Sequence, residues 1–230
     1  MRYTMKFALQ IVFLGIMACA AAGMVAAQDK LYPVDEATKD PSLKDFRDKL
    51  LEAVKKRDKE FLLSVLDPTI TNSFGGSGGI EEFRQKWNPG DRNSRLWPEL
   101  AAILMMGGSF VHSALGTQFC APYVYSESVG KGIDPYEYAP ITEKNTPVHA
   151  KPDDDAPIVI TLSYDIVKVI QWPRRRQRHQ NDADMWVKII TPDGRLGYVS
   201  AKSIRSSISY CACFANRKGK WVMTALVAGD

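Results

Sequence analysis

The chain has 230 residues, 45% of them hydrophobic and 24% charged, enough for one large or two small globular units. A formal charge of +4 is too near balance to point to nucleic acid, and four cysteines do not make a disulfide-dense scaffold. None of the three histidines (His112, His149 and His179) sits in a nucleophile, zinc or phosphotransfer motif, so the sequence offers no catalytic residue, no cofactor site and no reason to expect an enzyme.

In chain order, residues 1–27 set Arg2 and Lys6 ahead of an apolar run over 7–22, followed by the small residues Val25, Ala26 and Ala27. That is the layout of a secretory signal peptide. The run is shorter than the about 20 apolar residues of a membrane span, and Gln10 interrupts it. Cleavage after Ala27 would leave Gln28 as the mature N-terminus; the competing reading is a lipobox over 16–19 with Cys19 lipidated. Both readings predict an exported protein, periplasmic or secreted, without a transmembrane span in the mature chain.

Apolar residues at 43, 46, 50 and 54 predict a helix, with Ser42 as its N-cap, and residues 61–66 a second short helix stopped at Asp67 and Pro68. Residues 69–74 alternate like a strand and run into the glycine loop 75–79 before a helix over 80–87. That loop could cradle an anion at the helix start, but it lacks the lysine of a P-loop, and a plain turn is the simpler reading. A buried helix over 96–106 and extended segments over 109–112 and 118–125 follow. From about residue 134 the pattern changes to short strands separated by Pro, Asp and Gly, which suits a small barrel and marks a domain boundary. Residues 208–214 and 221–228 form a last strand pair.

Within residues 141–205, Thr146 to Pro152, the strand-like runs 156–162 and 166–170, residues 185–190, and above all Asp193-Gly194-Arg195-Leu196-Gly197-Tyr198-Val199-Ser200 together resemble the bacterial SH3 family. The chain departs from the family in carrying Trp172 and an arginine-rich stretch where a short loop is usual. Segments 73–76, 96–100 and 219–230 are similar to parts of an envelope-protein family that joins such a module to a helix-rich surround. The expected fold is α+β: a signal peptide over 1–27, an SH3-like β-barrel over 134–206, and a discontinuous helix-on-sheet domain over 28–133 completed by a hairpin over 207–230. For that outer domain a nuclear-transport-factor-2-like arrangement is the expectation. Trp186 is expected to bury its ring against Val148, Ile170 and Val199.

Cys120, Cys211 and Cys213 are the disulfide candidates; Cys211 and Cys213 should share one face of a strand, so either could meet Cys120. No histidine accompanies them, which disfavours a metal. Asp153, Asp154 and Asp155 lack the spacing of a calcium loop and read as a solvated turn. The strongest binding candidates are Tyr164, Trp172 and Tyr198, with Arg174, Arg175, Arg176 and Arg178 adding positive charge suited to a phosphate, carboxylate or anionic glycan. The leading expectation is a non-enzymatic envelope binding module for a wall peptide, a glycan or an envelope protein. The alternatives are a small-ligand or enzymatic pocket lined by Trp87, Trp97, Phe119 and Tyr123, and a purely structural envelope protein.

Overall fold

The structure is a computed structural model that describes residues 30–113, 116–128, 132–173 and 185–229. The signal peptide, the lipobox with Cys19, and Arg174, Arg175, Arg176 and Arg178 lie outside the described residues. No helix among the described residues is long and apolar enough to cross a membrane.

Helix α1 (Pro41–Lys56) begins two residues before its periodicity does, because Asp40 rather than Ser42 is the N-cap. The Asp40 carboxylate accepts from the Ser42 and Leu43 amides at 2.9 and 3.1 Å, which frees the Ser42 hydroxyl to accept from Trp221 Nε1. Arg57 ends α1 in the left-handed conformation, and Asp58 caps α2 (Lys59–Ser64). Strand β1 (Leu66–Thr71) starts where the sequence predicts helix. Asp67 and Pro68 fall inside it, and Pro68 is tolerated because β1 is an edge strand that need not offer every amide. Helices α3 (Gly79–Trp87) and α4 (Leu96–Met105) precede β2 (Ser109–Ser113) and β3 (Gly116–Ala121). The predicted extended run 118–125 is broken at the cis bond before Pro122, and Tyr123–Ser126 form the short helix α5.

Next come β4 (Tyr138–Pro140), β5 (Thr146–His149), β6 (Ile158–Leu162), β7 (Ile166–Gln171), β8 (Trp186–Ile190) and β9 (Leu196–Ser200), and finally β10 (Cys211–Arg217) and β11 (Lys220–Val227). Lys218 and Gly219 join the last two strands, both with positive φ, the two-residue turn whose twist matches a hairpin.

The fold is mixed α+β with two sheets. The first is ordered β1-β11-β10-β3-β2, so the last hairpin of the chain occupies its middle. Leu50, Val54, Phe83, Trp87, Trp97 and Leu100 of the helices pack with Phe119, Phe214, Met223 and Leu226 into its core. The second is ordered β4-β7-β8-β9-β5-β6 and has its own core of Val148, Val167, Val187, Ile189 and Val199. A Cβ on Gly197 would come within 2.3 Å of Val148 Cγ1, so close strand approach requires glycine there. Instead of a closed barrel this sheet is open, with β4 and β6 at its edges among the described residues.

Trp186 does not enter that core. Strand alternation sends Val187 and Ile189 inward, and Trp186 lies half-buried on the outer face while Ile170 is exposed. The two sheets meet at a third cluster, in which Leu31, Tyr123 and Val124 pack with Met106 and Ile166. Lys30 pins the same joint, pairing with the buried Asp165 and donating to the Ser163 carbonyl at 2.8 Å.

Cys120 and Cys213 stand directly opposite each other in β3 and β10, with Cα atoms 4.1 Å apart, and form a disulfide across 93 residues. Cys211 is a free, buried thiol. Substituting both bridged cysteines with serine is expected to cost about 4–5 kcal/mol in urea denaturation, the loop-closure contribution of a bridge of that span. In the same assay Ile189→Ala is expected to cost about 2–5 kcal/mol and Trp186→Ala less, because Trp186 stands outside the core.

Candidate functional site

The three aromatic candidates do not lie at one end of the second sheet. Tyr164 sits in the turn before β7 with a φ of 62° and meets the Tyr32 ring edge-on at 5.6 Å. That backbone is held by the Leu31 amide donating to the Tyr164 carbonyl and by Asp165 accepting from the Ser163 amide. Trp172, partly exposed, follows the other end of the same strand. Eight residues of extended chain span about 26 Å, so Tyr164 and Trp172 flank opposite ends of the sheet.

Tyr198 lies toward the Trp172 end of the sheet. Gln171, Lys188, Tyr198 and His149 form one register row across β7, β8, β9 and β5. Residues directly opposite share a face, and two positions along β8 from Lys188 the Trp186 ring meets His149 at 5.3 Å. His149 is buried and donates from Nδ1 to the Ala156 carbonyl at 2.9 Å, a structural bond rather than a catalytic posture. The outer face therefore carries Lys188 and Tyr198 in one row and Trp186 two positions along, at the end of the sheet where Trp172 leads into the arginine-rich segment. The sequence singled out Trp172 and Tyr198 and misplaced Trp186, although period-2 alternation through Val187 and Ile189 carries the correction.

The glycine loop before α3 already holds its anion. The Glu82 carboxylate accepts from the Gly78 amide at 2.6 Å and from the Ser73 and Ser77 hydroxyls, occupying the place a bound anion would take. Asp153 accepts from the Asp155 amide at 3.0 Å in an exposed turn. Among the described residues no three His, Cys, Asp or Glu side chains gather as a metal site.

Trp87, Trp97, Phe119 and Tyr123 are all buried, the first three in the core beneath the helices and Tyr123 in the joint. A hollow of about 440 Å³ lies instead on the opposite face of the first sheet. Its floor is the register row Thr71, Ala225, Cys213 and Cys120. Its rim includes Phe74, Val111, Tyr125 and Arg217. Small side chains in the middle of the sheet and large ones around it account for the concavity. Burial pushes the Cys211 thiol up to about 12, which keeps it protonated and unreactive.

Hydrogen bonds, chiefly from the Gly78 amide, hold the Glu82 carboxyl below its ordinary value of 4.5. A lowered folded-state value stabilises the protein above that pH, and the contribution disappears as pH falls through the folded value. Thermal stability is accordingly expected to drop below about pH 4.5 in the wild type, and Glu82→Gln to show a smaller drop in that window. Comparison with family models, curated proteins and solved structures finds no match for this chain.

Proposed function

We propose that the protein is a non-enzymatic, exported cell-envelope binding protein whose second sheet is an SH3-like unit that engages a wall peptide, a glycan or an envelope protein. The observation that carries this reading is the outward placement of Trp186, Lys188 and Tyr198 toward the Trp172 end of the second sheet, with Arg174, Arg175, Arg176 and Arg178 following in the chain. Aromatic faces with adjacent cations suit sugar rings and anionic or peptide groups. The SH3-like assignment draws support from partial closure of the sheet. Past β9, the Arg205 amide donates to the Pro140 carbonyl and the Thr142 amide to the Ser203 carbonyl, flanking a bridge between Ile141 and Ile204. The first unit is read as nuclear-transport-factor-2-like, supported by helices stacked on one face of a sheet whose register shifts at two of its strand pairs. Export rests on the signal-like residues 1–27 and suits a disulfide, which persists in an oxidising compartment.

The test is retention on purified peptidoglycan at low and moderate salt. Wild type is expected to bind and to be released by salt, and Arg174, Arg175, Arg176 and Arg178 changed together to Ser are expected to abolish retention. Trp172→Ala and Tyr198→Ala should weaken it, whereas Tyr164→Ala, at the far end of the sheet, should not. Absence of retention for every form would overturn the wall-binding reading.

A further inference from the structure

Pairing divides the first sheet into two chemically different faces. One carries Phe119, Phe214, Met223 and Leu226 into the helical core. The other carries Thr71, Ala225, Cys213 and Cys120 in one row, with Thr224 and Gln118 beside it, and the hollow of about 440 Å³ lies above them with Tyr125 of α5 at its rim. That volume lies within the roughly 300–1,000 Å³ of small-molecule sites. We propose that this hollow binds a small, uncharged, amphipathic molecule, one carrying a hydroxyl, carbonyl or amide on an apolar body.

The lining argues for that class. Its two charged side chains, Asp67 and Arg217, pair with each other at 3.4 Å, and Asp67 also takes the Thr69 amide and hydroxyl. Burial keeps the Tyr125 hydroxyl and the Cys211 thiol neutral. A charged ligand would surrender its hydration without finding a counter-ion. Val111, Val227, Phe74 and the disulfide offer apolar contact. For polar recognition, Thr224 donates to Gln118 Oε1 at 2.7 Å, which orients the Gln118 amide and leaves its nitrogen, like the Tyr125 hydroxyl, without a hydrogen bond among the described residues. The Gln118 amide nitrogen and the Tyr125 hydroxyl, beside a floor of small side chains, suit recognition of a polar group.

The proposal is independent of wall binding by the second sheet, and its test uses two fluorescent probes with one skeleton, neutral N-phenyl-1-naphthylamine and anionic 1-anilinonaphthalene-8-sulfonate. The neutral probe is expected to bind saturably at one site and the anionic one about ten-fold or more weakly. Ala225→Trp fills the floor and is expected to abolish binding while far-UV circular dichroism is unchanged; Thr71→Trp asks the same question from the neighbouring strand should the first variant fail to fold. Ile158→Ser, which removes an exposed apolar side chain of the second sheet, is expected to leave binding intact. Failure of the neutral probe to bind, equal binding of both probes, retained binding in a folded tryptophan variant, or loss of binding in Ile158→Ser would each overturn the proposal.

Discussion

The first sheet cannot exist without the end of the chain. Strands β1 and β3 do not pair with each other; β10 and β11 stand between them, so the segment containing the whole second sheet must be traversed before the first can close. Phe119 and the helical side chains find their apolar partners, Phe214, Met223 and Leu226, only then. Such non-local pairing delays the return on the chain entropy spent in ordering the ends, and the Cys120–Cys213 bridge acts at that junction by restricting the unfolded chain.

The same constraint brings the two sheets into contact. The segment between them must leave the first sheet after α5 and return to it at β10, and Leu31, Tyr123, Val124 and Ile166 close the space where it does so. Asp165 is almost wholly buried there, and Lys30 offsets the cost of its charge with an ion pair, while Arg205 ties the returning chain to Glu99 of α4 at 3.1 Å. The left-handed backbone at Tyr164 sits inside this joint, which gives that residue a structural role the aromatic composition of the turn does not reveal.

The two candidate sites divide between the sheets by which faces packing leaves uncovered. Packing consumes the large aromatics of the first sheet on its helical side, leaving small and polar residues to form a hollow on the other. In the second sheet Val187, Ile189 and Val199 fill the interior, so Trp186, Lys188 and Tyr198 are turned out. Each candidate site is thus the complement of a core.

Local order was legible in the residues: the 3.6-residue spacing from Leu43 to Val54, the last strand pair around residues 216–220, the alternation of the strands after residue 134, and three cysteines able to form one bridge. These follow from interactions within a few positions of the chain. Ser42 and Asp40 compete locally for the cap over two residues, whereas the start of β1 depends on its distant partner β11 and its edge position admits Pro68. The partner of Cys120, the separation of Tyr164 from Trp172 and Tyr198, the outward turn of Trp186 and the place of the hollow were decided by tertiary structure alone. They depend on register between strands tens of residues apart, and a one-residue change of register exchanges the buried face of a strand for its exposed one.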